Sequence, residues 1–167
     1  MKFIKTIGVD AGFPYETRER VEGVVYNAEG KIALIKVGKY HYHVLPGGMI
    51  ESHETPYEAI IREVREETGV QIKDIVELGV IIEYMNERKL KRVTYCFSSS
   101  ADQLLGPPTF TQEEIDEEYE LQWVYPDKAL QMIENDLANY PKIMQLTKKE
   151  SPVPHRELEI MRAIFNF

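Results

Sequence analysis

Residues 48–70, GMIESHETPYEAIIREVREETGV, contain the strongest structural signal in the chain. Thr55 and Glu58 have the spacing of a capping box, and Pro56 stands at the first helical position, where proline is favoured. Gly69 is typical of the residue that ends a helix in the left-handed conformation. The stretch therefore predicts one helix that follows Thr55 and stops at Gly69.

The predicted helix has two unlike faces. At about 100° per residue, one side collects the positions that should pack: Tyr57, Ile60, Ile61, Val64 and Thr68. The other side carries Glu63, Glu66 and Glu67, whose like charges repel one another by roughly 0.3 kcal/mol per pair. Arg62 and Arg65 would offset part of that repulsion, so a solvated acidic face is one interpretation. The alternative is that the carboxylates bind a hard divalent cation, Mg²⁺ or Mn²⁺.

The spacing of the charged residues favours the cation. Fixed gaps separate the glycines and charged residues of this stretch, in the order Gly48, Glu54, Arg62, Glu63, Glu66, Glu67 and Gly69. With average residue usage, the probability that a chain of this length contains these residues at these gaps by chance is below about one in ten million. The stretch resembles the complete signature of the Nudix hydrolases, and the preceding Pro46-Gly47 is also similar to common members of that family.

The resemblance implies a reaction and a cofactor. Nudix hydrolases cleave the diphosphate of a nucleoside diphosphate linked to another group, and Mg²⁺ or Mn²⁺ neutralises that diphosphate. Transferred to this chain, Glu66 and Glu67 would be the main metal ligands. Glu63 would be a ligand or the base that takes the proton of water, and Arg62 would orient it. The expected catalytic residues are thus Arg62, Glu63 and Glu66.

The resemblance also implies roles for the residues around these acids. The carbonyl of Gly48 would complete the metal shell. Glu54 would hold the loop against the helix through hydrogen bonds, and Gly47 and Gly69 would have structural roles. All of these positions lie within or directly beside the stretch 48–70.

Members of the family often use one more acid outside this stretch. Here the acidic segment 112–120 supplies five candidates: Glu113, Glu114, Glu117, Glu118 and Glu120. Most of them must be solvated charges, because the run is dense. Glu117 and Glu120 are preferred, since they lie nearest to the strand that leads to Trp123.

Five further residues are candidates for binding the substrate. Arg18, Arg20 and Lys36 could reach phosphates from the first strands. The alternative is that they are ordinary surface charges, which are common on hairpins. His43 precedes the Leu-Pro-Gly-Gly step at a position where many Nudix proteins have an aromatic residue. Tyr84 lies fifteen residues past Gly69, near where members that cleave dinucleoside polyphosphates carry a tyrosine, but packing explains it as well.

The absence of proline from residues 71–97 narrows the expected substrate class. Members that cleave ADP-ribose commonly have a proline about fifteen residues past the signature, and residues 71–97 contain none. We therefore expect a nucleoside triphosphate or a dinucleoside polyphosphate rather than ADP-ribose. The alternative function is a Nudix-fold module that binds a nucleotide, or regulates through it, without hydrolysis.

The remaining pattern predicts the fold. Strands are predicted at 20–26, 31–37, 42–45, 75–83, 90–98 and 121–124, and further helices at 126–140 and 155–165. This order lacks the strict alternation of a Rossmann sheet and indicates an α+β fold. The resemblance implies the Nudix α/β/α sandwich with a mixed sheet over residues 17–140. We expect one domain over residues 1–167, with 1–16 and 141–167 as peripheral extensions.

Composition limits the partners and the compartment. A net charge of −8 opposes binding to a nucleic-acid backbone, and no apolar run approaches the ~20 residues of a membrane span. We therefore expect a cytoplasmic protein without nucleic-acid or membrane partners. Cys96, the one cysteine, is predicted to be buried and inert. The last helix is a candidate surface for a homodimer through Ile160, Ile164 and Phe165, against the simpler interpretation that it packs on its own domain.

Overall fold

The fold is built on a mixed β-sheet. The computed structural model describes residues 2–141 and 153–165. Its strands are β1 (Phe3–Ile7), β2 (Glu16–Tyr26), β3 (Ile32–Val37), β4 (Tyr42–Val44), β5 (Val70–Met85), β6 (Leu90–Leu104) and β7 (Tyr119–Val124). Its helices are α1 (Pro56–Thr68), α2 (Gln112–Asp116), α3 (Pro126–Ala138) and α4 (Val153–Phe165). None of these helices has the length and apolar character to cross a membrane.

The sheet joins parallel and antiparallel pairs. Its order is β1-β5-β6-β2-β3-β4, and β7 also pairs with β3. β5 and β6 form a long antiparallel hairpin, whereas β2 runs parallel to β6 from Glu16 opposite Leu90 to Tyr26 opposite Ser100. The predicted hairpin of β2 and β3 is present, with Tyr26 opposite Ile32. The predicted α+β class with a mixed sheet is therefore confirmed.

Helix α1 has the predicted ends but a different buried face. The Thr55 side chain accepts a hydrogen bond from the Glu58 amide, and Gly69 follows the helix with φ of 71°. Tyr57, predicted to pack, is 52% exposed, whereas Ala59, Glu63 and Glu67 are buried. At about 100° per residue, the buried face is rotated by roughly 70° from the predicted one. The packing against the sheet thus includes two of the acids.

The core has one layer on each side of the sheet. Alternate residues of β2 and β3 point to opposite faces. One face packs against α1 through a cluster that includes Val21, Val25, Ala33, Ile60, Val64 and Phe97. The other face packs against α3 and α4 through a cluster that includes Val24, Ile32, Leu34, Ile133, Ile160 and Met161. Helices on both faces of the sheet confirm the predicted α/β/α sandwich.

The two ends of the chain are more integral than the sequence suggests. β1 extends the sheet as a parallel neighbour of β5. Ile160 and Met161 of α4 are fully buried, so residues 153–165 contribute to the core of the described structure. Ile160, a candidate dimer contact, packs instead into the core of its own chain. Residues 1, 142–152 and 166–167 lie outside the described residues, and one domain over residues 1–167 stays a prediction.

Cys96 is buried in β6, as predicted. Burial in apolar surroundings and the nearby carboxylate of Glu22 raise the pKa of its thiol far above the ordinary value. A thiol that stays protonated and inaccessible is a poor nucleophile. Cys96 is therefore a packing residue.

Candidate active site

The loop before α1 lies directly on strand β2. The amide of Val21 donates to the Gly48 carbonyl at 2.9 Å, and the amide of Gly23 donates to the Pro46 carbonyl at 2.9 Å. At Gly47, with φ of 153°, an added Cβ would lie 2.2 Å from the Val21 carbonyl oxygen. Only glycine allows so close an approach in this conformation. The loop is therefore fixed by its backbone and by the absence of a side chain at Gly47.

The same loop contacts two carboxylates of α1. The Gly47 amide donates to Oε2 of Glu67 at 2.8 Å. An added Cβ on Gly48 would lie 2.3 Å from Oε1 of Glu63, so the carboxylate occupies the space that a side chain would take. Loop and helix thus bring Gly47, Gly48, Glu63 and Glu67 together, as the resemblance implies.

Arg62 joins the loop to the acids of α1. Its Nε and Nη2 donate to the two oxygens of Glu54 at 2.8 and 2.9 Å. Its Nη1 donates to Oε1 of Glu63 at 2.8 Å and to Oε2 of Glu66 at 3.1 Å. Oε2 of Glu54 also accepts from the Glu51 amide at 3.1 Å. Glu54 thus contacts both the loop and Arg62, and the bidentate pair orients the guanidinium.

The three acids of α1 differ in burial, and the burial of two of them raises their pKa values. Glu63 and Glu67 are 9% and 4% exposed, whereas the Glu66 side chain is 47% exposed. Burial raises the pKa of Glu63, and the hydrogen bond from Arg62 opposes that rise. Burial also raises the pKa of Glu67 well above its usual range, against the hydrogen bond from Gly47. A solvated acidic face, one interpretation of the sequence, therefore describes Glu66 alone.

The donors at this site suit a hard divalent cation. Within residues 2–141 and 153–165, no three His, Cys, Asp or Glu side chains form a preformed metal cage. Glu63 and Glu66 both accept a hydrogen bond from Arg62 instead. Their side chains would therefore have to rotate before oxygens of both could bind one ion. The available donors are carboxylate oxygens and the Gly48 carbonyl oxygen, which has a second lone pair besides the one that accepts from Val21. Oxygen donors and buried carboxylates fit Mg²⁺ or Mn²⁺.

These residues line a cavity of about 720 Å³. Its walls come from β2, the loop before α1, α1 itself, β4, β6, the segment around α2, and α4. Five arginines and seven glutamates line it: Arg18, Arg20, Arg62, Arg92, Arg156, Glu51, Glu63, Glu66, Glu67, Glu113, Glu114 and Glu117. Because carboxylates outnumber guanidiniums by two, a polyphosphate would enter most readily with cations.

The structure separates the two acids preferred outside the signature. Glu117 is 7% exposed and lines the cavity. Glu120 lies outside the cavity lining, and its carboxylate is 3.2 Å from Nζ of Lys36 on the surface. That pair follows from the register, which places Lys36 of β3 opposite Glu120 of β7. The structure therefore gives no support to Glu120 as a ligand or to Lys36 as a phosphate-binding residue.

The other substrate candidates divide in the same way. Arg18 and Arg20 line the cavity. His43 lies outside its lining, because its neighbours on β4 face the cavity, and His43 Nδ1 contacts Asp136 at 2.9 Å. Tyr84 also lies outside it and packs against Tyr15, with ring centroids 5.2 Å apart. For Tyr84, packing is the interpretation that the structure supports.

Several residues that line the cavity were not predicted from the sequence. Tyr42, Thr109, Thr111, Tyr119, Arg92 and Arg156 line the cavity. One signal was available, because Thr111 and Glu114 form a second capping box, which starts α2 inside the expected acidic loop. Nothing in the sequence pattern indicated that Arg156 of the last helix would reach the site.

Comparison with known proteins agrees with the signature. The NUDIX domain model matches residues 16–146. An RNA pyrophosphohydrolase of Halorhodospira halophila is 32% identical over 76 residues, 46% of this chain and 42% of that protein. An ADP-ribose pyrophosphatase of Methanocaldococcus jannaschii is 41% identical over 63 residues, 36% of this chain and 37% of that protein. The structure of a NUDIX hydrolase from Nitrosomonas europaea has 18% identity and a TM-score of 0.60, with 89% of this chain and 90% of that chain covered.

The domain match spans most of the chain, and the solved structure shares the sandwich fold. The chain belongs to the Nudix family. Its matches with curated relatives extend over 34% to 42% of their lengths.

Proposed function

We propose that this chain is a pyrophosphohydrolase that depends on Mg²⁺ or Mn²⁺. It cleaves the diphosphate of a nucleoside diphosphate linked to another group, with a nucleoside triphosphate or dinucleoside polyphosphate preferred over ADP-ribose. The observation that carries the proposal is that Glu63, Glu66 and Glu67 line one cavity together with Arg18 and Arg20. Its volume of about 720 Å³ is in the range of small-molecule sites.

The different surroundings of the acids of α1 favour a different role for each of them. Glu66 is the most exposed of the three, so it can bind a cation at the smallest desolvation cost. Glu67 is held by the Gly47 amide and would bind the same cation from the buried side. A bound Mg²⁺ or Mn²⁺ would stabilise the charge on the phosphate oxygens and make water easier to deprotonate.

Glu63 is the proposed base. Arg62 binds Oε1 of Glu63 at 2.8 Å, and Oε2 would receive the proton of the attacking water. Burial raises the pKa of this carboxylate, which makes it a better proton acceptor than an exposed glutamate. Glu117 is the proposed additional acid, as a ligand or as a second base, because it is buried in the facing wall.

The arginines on β2 are proposed to bind the substrate phosphates. Arg18 and Arg20 are two residues apart on one strand, so they share a face, and both line the cavity. Guanidinium groups match phosphate geometry and keep their charge at every physiological pH. A substrate bound there would have its diphosphate between β2 and the acids of α1.

The choice of substrate is the open part of the proposal. One relative is named ADP-ribose pyrophosphatase and another RNA pyrophosphohydrolase. Against ADP-ribose stands the lack of proline in residues 71–97, and against RNA the net charge of −8. Both therefore belong in the test as competitors of nucleoside triphosphates and dinucleoside polyphosphates.

Product release from a substrate panel tests the proposal. The panel contains nucleoside triphosphates, dinucleoside polyphosphates, nucleotide sugars, ADP-ribose and an RNA with a 5′ triphosphate, with Mg²⁺, Mn²⁺ or EDTA. The variant Glu66→Gln is compared with Glu134→Gln, an exposed glutamate on α3. We expect turnover that requires the cation, falls at least about a hundredfold in Glu66→Gln, and is unchanged in Glu134→Gln.

Two results would contradict the proposal. Equal turnover of the wild type and Glu66→Gln with saturating Mg²⁺ would refute the assignment of Glu66 as a ligand of the catalytic cation. Binding of panel members without cleavage would favour the nucleotide-binding module instead.

A further inference from the structure

A cluster of charged residues forms part of the inner wall of the cavity and continues behind it. It contains three arginines and three glutamates: Arg20, Glu22, Glu83, Arg92, Arg156 and Glu157. All three glutamates and Arg156 are 0% exposed. Buried charges are tolerated only when each has a partner of opposite sign. The cluster contains as many guanidinium groups as carboxyl groups.

Arg156 of α4 is the shared partner in this cluster. Its Nη2 lies 2.5 Å from Oε1 of Glu22 and 3.0 Å from Oε1 of Glu157. Its Nη1 lies 3.4 Å from Oε2 of Glu83. A planar guanidinium can face three carboxylates at once, which the compact ammonium of lysine cannot do in the same geometry.

A chain of contacts connects Arg156 to the proposed metal site. Oε1 of Glu22, which contacts Arg156, also lies 2.7 Å from Nη2 of Arg20. The same Nη2 donates to the Gly47 carbonyl at 3.4 Å, and the Gly47 amide holds Glu67. Glu22 also supports this loop by contact, because its Cα lies 2.8 Å from where a Cβ on Gly47 would stand.

The shared carboxylate fixes where Arg20 points. Glu22 divides its negative charge between two guanidiniums, so the Arg20 guanidinium is not drawn completely into the interior. Without Arg156, the full charge of Glu22 would act on Arg20, and the flexible Arg20 side chain would turn inward, away from the cavity. Arg20 would then be lost from the wall where phosphates are proposed to bind.

We propose that Arg156 is a positioning residue, which acts through Glu22 to hold Arg20 toward the phosphates of the substrate. The inference rests on the proposed function, because it gives Arg20 a phosphate to bind. It assigns a role at the site to helix α4, which begins after the residues that match the domain model, 16–146.

Binding of α,β-methylene-ATP with Mg²⁺, measured by calorimetry, provides the first test. Arg156→Lys keeps the charge but removes the fork, and Arg162→Lys is the matched control on the exposed side of α4. We expect Arg156→Lys to weaken binding about tenfold, which is the effect of one charge-assisted hydrogen bond. Arg162→Lys should leave binding unchanged.

A double-mutant cycle separates positioning from general stability. In an Arg20→Ala background, Arg156→Lys should weaken binding less than twofold, because the side chain that it positions is gone. Equal tenfold losses in both backgrounds would overturn the inference and indicate a purely structural role.

The exchange of the Arg20 Nε proton with solvent gives a readout that needs no ligand. It is followed in ¹⁵N spectra, with the resonance assigned by Arg20→Lys, and we expect exchange at least about tenfold slower in Arg156→Lys, because the Arg20 side chain turns into the interior. If that variant does not fold, Glu22→Gln tests the same link from the other side: it removes the carboxylate that draws Arg20 inward, so it must give faster exchange. Unchanged exchange overturns the inference. Slower exchange in Arg156→Lys of a protein whose wild type neither binds nor cleaves nucleotides supports the inference and refutes the proposed function alone.

Discussion

Substituting the two adjacent glycines before α1 by alanine should give opposite defects. At Gly48, the added Cβ would stand 2.3 Å from a carboxylate oxygen of Glu63, whereas van der Waals contact begins at 3.4 Å. The Glu63 carboxylate must therefore move by roughly 1 Å, and as the end of a side chain it can do so. At Gly47, the Cβ would meet the backbone at Val21 and Glu22, which cannot move without disrupting β2.

The magnitudes follow from these contacts. Gly48→Ala loses the hydrogen bond of Glu63 to Arg62, about 1.5 kcal/mol, and regains about 0.7 kcal/mol from the stiffer unfolded chain. The net cost is about 1 kcal/mol, or roughly 2–4 °C in Tm. Gly47→Ala adds backbone overlap at φ of 153° and should cost at least about 3 kcal/mol. Turnover of Gly48→Ala should fall about a hundredfold, because Glu63 is displaced.

Urea unfolding and turnover of the same preparations provide the assay. We expect Gly48→Ala to be nearly as stable as the wild type but far less active, and Gly47→Ala to be strongly destabilised. The reasoning would be refuted if Gly48→Ala kept wild-type turnover, or if it were less stable than Gly47→Ala.

Three further predictions concern other parts of the fold. Thr55→Ala should cost about 1 kcal/mol of unfolding free energy through the lost cap. Since Thr55 lowers the pKa of Glu58, part of that difference should be present at neutral pH and vanish as the pH falls through the folded-state pKa of Glu58, which pH-dependent unfolding would detect. Cys96 should react with Ellman's reagent only after unfolding, and rapid reaction of the native protein would contradict its burial. Glu117→Gln should lower turnover at least about tenfold and Glu120→Gln should not, and the reverse result would reject the placement of these acids.

Local chemistry made the boundaries of α1 predictable. A threonine cap, a proline at the first helical position and a terminal glycine act within one turn of the helix, so the sequence alone contains the information. Which face is buried depends on distant partners. Glu63 and Glu67 are buried because Arg62 and the Gly47 amide compensate them, and hydrophobicity does not indicate such compensation.

The missed parts of the site depend on register and on distant segments. A shift of one position along β4 decides whether His43 faces the cavity or Asp136, and the sequence around it fits both. Lys36 and Glu120 pair because β3 and β7 are neighbours, 84 residues apart in sequence. Arg156 reaches the site from the last helix, and no spacing relates it to the signature.

Bound Mn²⁺ and product release, measured over the same Mn²⁺ titration, test the central claim most directly. Free Mn²⁺ is followed by electron paramagnetic resonance in parallel samples without substrate, because a polyphosphate would bind Mn²⁺ itself. We expect turnover to rise in proportion to bound Mn²⁺ and Glu66→Gln to weaken both together, while Glu134→Gln changes neither. Turnover without bound Mn²⁺ or Mg²⁺, or unchanged Mn²⁺ binding and turnover in Glu66→Gln, would contradict it.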